Sequence, residues 1–407
     1  LLYDCNNITI DGSVSLANTE NVAKKFRAMG WNVVICQDGN NYGKVTRAIA
    51  KAKNSKNKPT IVVFKTTIGY GTALSGSADI HGKPLSADEL KALKQNLGVK
   101  ESFELPEDVK NLAMKTVQRN KIALERWNKM FVLYKSSHPE LYRQLVVCLE
   151  NKEYDVTKLL KQDIINQPLS GRDANALILK ELSSRLPRLV GGTADLAPSV
   201  RAYISGAGDY SAYNRRGRNI HFGIREHSMG AISNGLSLYL ESPVFCSTFM
   251  AFSNYMTPAI RMSALMNVPV WYQFSHDSYK VGEDGPTHQS VEQLGSLRLI
   301  PNLNVFRPAD TNELLGCYKI AQNSKKPCAF ALTKQNLQPL NTSLKDIQKG
   351  GYVVSGDKGD VMLLWHYQSK KNLKKKAKKL LLQVSLVLKN LKIKLQITKS
   401  LYFLVLH

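Results

Sequence analysis

The stretch Gly223-Ile-Arg-Glu-His-Ser-Met-Gly230 decides how the rest of this sequence is interpreted, because it joins a strand pattern to a helix pattern. Residues 219–222 before it have the pattern of a short buried strand, and residues 231–240 after it carry apolar side chains at helical spacing. Glu226 lies at the junction, between an arginine and a histidine. Open α/β sheets usually bind ligands at such junctions, but a carboxylate there can also simply complement the helix dipole. The local pattern alone leaves both interpretations open.

Strand patterns alternate with helix patterns on both sides of this junction, which predicts parallel sheets covered by helices. In the first part of the chain, strands are expected at its start, at 31–37 and at 60–65, with helices at 21–30 and 42–53. In the second part, strands are expected near Leu189, Ile220, Val244, Val270, Val305 and Ala329, and helices near Ala174, Ala231, Pro258, Val291 and Glu313. We therefore expect an α/β protein with two doubly wound parallel sheets.

Composition is typical of a globular protein. The chain of 407 residues is long enough for two or three domains that each bury a core, and 43% of its residues are hydrophobic. No apolar run approaches the length of a bilayer span. The six cysteines lack metal-ligand or redox spacing, which favours reduced thiols in a reducing compartment such as the cytoplasm. Since the first residue is Leu, we expect a fragment or a processed product.

The formal charge of +24 is unevenly distributed. Residues 365–407 contain eleven Lys and no Arg, Asp or Glu, whereas the body before them is moderately basic and suits anionic small substrates as well as nucleic acid. The tail could be a basic amphipathic helix for a membrane or a calmodulin-like partner. Its Lys/Leu-rich composition favours a low-complexity segment, such as a frame-shifted end.

Four polar clusters lie on loops. The first, Asn6–Gly12, offers the hard oxygen ligands that Mg²⁺ prefers, although such a stretch is usually only a turn. The second is His81, which follows the loop Thr66–Gly71 and is an acid/base candidate only if it has partners. The third, Gly192–Ser199, offers Asp195 and the Ser199 hydroxyl.

The fourth cluster is the loop His276–His288, which holds two histidines and three acids directly after an apolar strand. Burial of such a polar loop is costly, so it should line a cleft or a surface. Phe249, Phe252 and Tyr255 form an aromatic set that could hold a planar heterocycle, although such a stripe is more often part of a core.

Together these clusters closely resemble the transketolase family, thiamine-diphosphate enzymes that transfer two-carbon ketol units between sugar phosphates. The resemblance extends from residue 1 to about residue 364. It rests on the runs Asn6–Gly12, Lys65–Gly71, His81–Leu85, Gly191–Ser199, Gly223–Gly230, Phe249–Leu265, His276–His288, Phe306–Asp310 and Gln335–Leu337. It implies two thiamine-diphosphate-binding-type sheets, the first of them incomplete, followed by a tail that does not match the family.

The resemblance also implies residue roles. Glu226 would bond the aminopyrimidine ring of thiamine diphosphate and so promote formation of its carbanion, with Phe249, Phe252 and Tyr255 around that ring. The Asn6 side chain and the Ile8 carbonyl would ligate Mg²⁺, or another divalent cation such as Ca²⁺. The implied cofactor-binding set is Asn6, Ile68, His81, Asp195, Glu226, Phe249, Phe252 and Tyr255.

For the substrate, the resemblance implies proton transfer by His81 and His276, so that these two and Glu226 form the catalytic set. The implied sugar-phosphate contacts are His81, Arg172, Ser199, His276, Asp284, His288 and Lys334. The family has an arginine at the position of Lys334, and lysine keeps the charge but loses the bidentate fork. A homodimer with active sites at the subunit interface is also implied, with no nucleic-acid or membrane partner.

The resemblance predicts domain bounds and a consequence for activity. Residues 1–135 would be the rear part of the diphosphate-binding domain, 136–168 an interdomain crossing, and 169–342 the pyrimidine-binding domain. Residues 343–407 would be the start of a third domain followed by the tail. The family's Gly-Asp-Gly segment, which carries a metal-binding Asp, would precede Asn6. The chain by itself is therefore expected to lack transketolase activity, which in the family belongs to the pentose phosphate pathway.

Two alternatives remain at this stage. The first is a related thiamine-diphosphate enzyme, such as deoxyxylulose-phosphate synthase or a ketoacid dehydrogenase subunit, against which the candidate phosphate contacts Arg172, Ser199 and His288 argue. The second belongs to another class: a catalytically dead basic protein whose tail contacts nucleic acid or a membrane.

Overall fold

The computed structural model describes residues 1–99, 103, 105–149, 156–340, 344–347, 349, 351–355, 361–364 and 401–406. The chain divides into two compact units, Leu1–Lys129 and Met130–His407. Among the described residues, no helix combines the length and the apolarity needed to cross a bilayer.

The first unit is built on a parallel sheet with strand order β1-β5-β4. Asn21 and Asn41 cap the helices α1 and α2, and Ser86 and Glu89 form a capping box at the start of α3. A small core of Val34, Cys36, Ala48 and Val62 lies between α2 and the sheet. The elements are β1 Leu2–Cys5, β2 Ile8–Thr9, β3 Gly12–Ser13, α1 Val22–Ala28, β4 Asn32–Cys36, α2 Tyr42–Lys53, β5 Thr60–Lys65, α3 Ala87–Leu97 and α4 Glu107–Ser137, the last of which continues past Lys129.

The second unit contains a longer parallel sheet with strand order β11-β12-β10-β9-β7-β8. Its elements before residue 270 are α5 Pro139–Leu149, α6 Gln162–Ile165, β6 Leu169–Ser170, α7 Gly171–Arg185, β7 Val190–Thr193, α8 Ala197–Val200, β8 Asn219–His221, α9 Glu226–Leu240, β9 Val244–Phe249 and α10 Thr257–Met266. The later elements are β10 Val270–Ser275, α11 Gln293–Arg298, β11 Asn304–Phe306, α12 Thr311–Asn323, β12 Cys328–Leu332, β13 Asn336–Leu337, α13 Leu344–Ile347, β14 Gly351–Ser355, β15 Val361–Leu364 and β16 Leu401–Leu406.

The long sheet is buried on both faces, as expected of parallel strands covered by helices. Every residue of β9, β10 and β12 is buried. One face packs against α7 and α12, and the other packs against α9 and α10. Neighbouring strands approach so closely at Gly192 that a Cβ there would lie 1.7 Å from the Ile220 carbonyl oxygen. The predicted fold class, α/β with parallel sheets, is confirmed.

Two parts of the chain differ from the sequence prediction. Residues 107–137 form one helix of 31 residues, α4, which was not predicted as a single element, and α5 lies within the predicted interdomain crossing at 136–168. In the tail, only 401–406 belong to the described residues, and they form β16 between β14 and β15. The predicted low-complexity character of the tail otherwise falls outside the described residues.

Candidate active site

The strand order places a topological switch point at β7. The chain passes from β7 to β8 on one side and then returns to β9 on the other side of β7. Ligands of open α/β sheets bind outside the carboxyl ends of the strands at such a point. The candidate residue Asp195 follows β7 there, exposed and with a left-handed φ of 63°, and Phe249 ends β9.

Glu226 is the first residue of α9, which follows β8 at the same edge of the sheet. Only 9% of the residue is exposed, and among the described residues its carboxylate has no hydrogen-bond partner. Helix α9 packs on the segment Met250–Met256, which directly follows β9. A carboxylate at this place, with no hydrogen-bond partner in the described part of the chain, is able to accept a hydrogen bond from a ligand.

Three aromatic side chains named from the sequence follow one another along this edge. The rings of Phe249 and Phe252 stack with centroids 5.7 Å apart and an interplanar angle of 22°. Phe252 lies 6.1 Å from Tyr255, whose side chain is exposed. Phe249 belongs partly to the core, whereas Tyr255 offers a free ring edge. The set can therefore hold a flat ring against its outer members.

His276 is buried at the end of β10, in a left-handed conformation with φ of 59°. Its Nδ1 lies 2.8 Å from the Ser275 hydroxyl, and its ring centroid lies 3.9 Å from that of Phe249. Burial, with the positive charges of Arg172 and Lys334, lowers the pKa of His276 to about 4. His276 is therefore neutral near pH 7 and can exchange a proton with a ligand hydroxyl.

Arg172 and Ser199, which the sequence proposed as phosphate contacts, are brought together. The Arg172 Nη1 donates to the main-chain carbonyl of Ser199 at 2.8 Å. The Arg172 Nε is buried and has no partner among the described residues. An unpaired buried donor of this kind is costly, and an anion that accepts a hydrogen bond from it removes the cost.

His288 belongs to the same group, since its ring centroid lies 5.2 Å from that of Phe252 and 5.8 Å from that of Phe249. Lys334 reaches the same loop and pairs with Glu283 at 3.0 Å and Asp284 at 3.2 Å. These carboxylates raise the pKa of Lys334 and also offset its charge. The role of Lys334 toward a phosphate therefore stays a prediction.

One pair that anchors this loop was missed by the sequence interpretation. Arg307 Nε donates to Asp277 Oδ2 at 2.8 Å, and the Asp277 side chain is only 1% exposed. The Ser290 hydroxyl also donates to the His276 carbonyl at 3.2 Å. Both partners of the ion pair lie within runs that resembled the family, but nothing in their spacing indicated that they meet.

The remaining candidates lie in the first unit. The Asn6 side-chain oxygen accepts a hydrogen bond from the Ile8 amide at 2.9 Å. This contact closes a local turn in the Asn-rich stretch. Ile68 lies in the glycine loop, which packs against Ile80, and the exposed His81 follows directly. Across the described residues, no cluster of three His, Cys, Asp or Glu is placed to bind a metal. Asn6 and Ile8 thus offer two neutral oxygens, to which a metal would need to add other ligands.

Comparison with known proteins assigns the two parts of the chain. Residues 1–153 match the family model described as "Transketolase, thiamine diphosphate binding domain". Residues 167–339 match "Transketolase, pyrimidine binding domain". A chloroplastic transketolase of Craterostigma plantagineum is 41% identical over 375 residues, which are 89% of this chain and 72% of that protein. The chain belongs to the transketolase family.

Other transketolases support this assignment. The transketolase of Bacillus subtilis (strain 168) is 41% identical over 372 residues, which are 88% of this chain and 56% of that protein. A crystal structure of Pichia stipitis transketolase in complex with sedoheptulose 7-phosphate has a TM-score of 0.87 and 35% identity, and the match covers 100% of this chain and 60% of that one. The chain thus spans little more than half the length of most of these transketolases.

Proposed function

We propose that the protein carries out the transketolase reaction, the reversible transfer of a two-carbon ketol unit from a ketose phosphate to an aldose phosphate. The observation that carries the proposal is Glu226, a residue only 9% exposed, whose carboxylate has no hydrogen-bond partner among the described residues and lies beside the aromatic segment at the switch point. The names of the related proteins support the same reaction.

Thiamine diphosphate fits the residues present. An aminopyrimidine ring is flat and carries nitrogen atoms, which match the Phe252 and Tyr255 rings and the unpaired Glu226 carboxylate. The first unit belongs to the domain type named for this cofactor. When bound, thiamine diphosphate supplies a carbon nucleophile that stabilises negative charge. Glu226 would hold a proton at the pyrimidine ring nitrogen and orient the ring.

Substrate contacts follow from the charges of the site. Arg172 would bind the terminal phosphate of the sugar through its unpaired Nε, with Ser199 and His288 nearby in the same role. His276 is neutral, so it would accept or donate a proton at the ring nitrogen that Ser275 does not contact. Asp284 is paired with Lys334 and would reach a sugar hydroxyl only in competition with that ion pair.

A divalent cation fits the first unit only in part. The Asn6 side-chain oxygen and the Ile8 carbonyl would be two ligands of Mg²⁺ or Ca²⁺, and diphosphate oxygens would supply others. His81 would serve as an acid/base group, and Ile68 and Asp195 as contacts of the cofactor. These roles rest on the resemblance of their sequence runs to the family.

We also infer a homodimer. Helices α9 and α10 pack on each other and expose Ile232, Leu238, Tyr239, Met262, Leu265 and Met266. An apolar surface of this kind on two adjacent helices is typical of an interface, and we assign it to a second copy of the chain.

The five described free cysteines agree with a reducing compartment, and we place the enzyme in the cytoplasm and in the pentose phosphate pathway.

The test is the Glu226→Gln substitution made in the full-length protein, which keeps the size of the side chain but removes the charge. We expect ketol transfer between pentose phosphates to fall by ~10²–10⁴, because the variant cannot hold the ring proton. Calorimetric titration with thiamine diphosphate and Mg²⁺ should also show weaker binding, while the thermal melt stays unchanged.

Glu241→Gln is the matched control, because Glu241 ends the same helix, away from the candidate site. It should behave as the unchanged chain. Full turnover by the Glu226→Gln variant would refute the proposal. Turnover of pyruvate in place of pentose phosphates would instead favour a related thiamine-diphosphate enzyme.

A further inference from the structure

A polar cavity lies in the second unit, away from the candidate active site. Its volume is about 570 Å³, and its lining includes Glu140, Arg143, Arg185, Arg216 and Arg218. Cavities of this size hold small molecules. The lining contains four arginines and one acid, so a ligand there would be anionic.

The fold separates this cavity from the candidate site. Arg185 ends α7, and the strand β7 starts five residues later at Val190. The cavity therefore lies at the amino ends of the parallel strands, whereas Glu226 and His276 lie at their carboxyl ends. A ligand in this cavity would not compete with the sugar substrate for space.

Two of the four arginines are already engaged. Arg218 Nη1 donates to the carbonyls of Ser183 and Leu186 at 3.2 and 3.1 Å, and so caps the end of α7. Arg143 pairs with Glu140 one turn earlier on α5. These contacts hold the walls of the cavity and offset much of the charge of both arginines.

The other two arginines, Arg185 and Arg216, differ in this respect. Among the described residues, the side chains of Arg185 and Arg216 have no hydrogen-bond or acidic partner, although they come from two different elements. Arg216 is presented by an ordered turn, in which Ser211 Oγ accepts hydrogen bonds from the amides of Tyr213 and Asn214. Both arginines line the same cavity, so an anion bound there would offset the positive charge of both.

We propose that this cavity binds a small molecule with at least two phosphoryl groups. A guanidinium presents a planar fork that matches phosphate, and two lining arginines whose forks have no partner among the described residues suit two phosphoryl groups better than one. This inference does not rest on the proposed ketol transfer. It gives the protein an anion site remote from the reacting atoms.

The experiment titrates the 407-residue chain with inorganic pyrophosphate in a calorimeter, with inorganic phosphate and citrate in parallel. We expect saturable pyrophosphate binding that is at least tenfold tighter than binding of phosphate or citrate. In the double variant Arg185→Ala/Arg216→Ala, one binding event per chain should weaken at least tenfold. Any pyrophosphate held by other sites would remain.

Arg215→Ala is the matched control. Arg215 is next to Arg216 but contacts the Tyr210 hydroxyl at 2.8 Å and does not line the cavity, so its loss should leave the binding unchanged. The single variants Arg185→Gln and Arg216→Gln, which keep polar side chains, should each weaken binding severalfold even if the double variant were unstable. Unaltered binding in these variants, an equal loss in Arg215→Ala, or equal affinity for citrate would overturn the proposal.

Discussion

At the scale of single residues, His276 combines an unusual backbone conformation with an unusual charge state. Its φ of 59° lies in the left-handed region, which residues other than Gly adopt infrequently, and its burial disfavours the protonated ring. The sequence predicted His276 as a proton-transfer residue, but neither its backbone conformation nor its lowered pKa can be predicted from the local amino-acid sequence. The lowered pKa depends on burial and on the charges of Arg172 and Lys334, which are distant in the chain.

The lowered pKa of His276 predicts how stability depends on pH. The unfolded chain binds a proton near pH 6.5, whereas the folded chain binds it only near pH 4. Between these values the unfolded state holds more protons, so the free energy of unfolding should fall as the pH is lowered through this window. The full shift would correspond to about 3 kcal/mol, and relaxation of the loop on protonation should reduce the loss to ~1–2 kcal/mol.

The measurement compares urea unfolding of the unchanged chain and of His276→Asn at several pH values between 4 and 6.5. Asn tolerates the left-handed conformation and does not titrate there. Asp310, whose pKa burial raises to about 6, acts in the opposite direction, and the difference between the two proteins cancels its contribution. Parallel pH curves for the two proteins would show that His276 titrates normally in the folded state.

At the scale of elements, the regular α/β core was predictable because its patterns are local. Helix α2 was predicted at its observed bounds, since Asn41 marks its start, and the β-branched run of β5 marks a buried strand. Helix α4 was not predicted as one continuous helix, because apolar residues such as Leu112, Val117 and Leu133 are exposed along it and give no single clear stripe. The contact of Asp277 with Arg307 joins residues 30 apart and has no local signal.

That ion pair fixes the start of the His276–His288 loop, so we expect Asp277→Asn to destabilise the second unit. Removal of one partner leaves the other charge poorly compensated, and buried pairs broken in this way typically cost ~3–5 kcal/mol. Since the Arg307 side chain is 21% exposed, the cost should lie near or below ~3 kcal/mol.

Urea unfolding, with the fluorescence of the buried Trp271 as the signal, measures this cost. Asp209→Asn is the control, because Asp209 forms a pair of similar length with His221 at 2.9 Å, but both side chains are more than half exposed. It should change stability far less. Equal effects of the two substitutions would show that the Asp277–Arg307 pair does not anchor the loop.

At the scale of the whole molecule, the candidate residues are divided between the two units. Glu226, Arg172 and His276 belong to the second unit, whereas Asn6 and His81 belong to the first. The sequence identified both sets because each lies in a run that resembles the family. How the sets combine depends on assembly, which no local pattern reports. The exposed surface of α9 and α10 is the feature of the second unit that bears on this question.

We expect the chain to dimerise through this surface, and Tyr239→Glu to dissociate the dimer. The Tyr239 side chain is 86% exposed in the single chain, and Ile232 lies two turns before it on the same face of α9. A charge placed at the centre of an apolar interface must be desolvated on association, which should weaken the dimer at least tenfold.

Sedimentation equilibrium over a range of protein concentrations measures this change. The control is Tyr213→Glu, which alters an exposed tyrosine outside the two helices and should leave the dimer intact. If the unchanged chain sediments as a monomer at every concentration, or if both variants remain dimeric, then α9 and α10 do not form the interface.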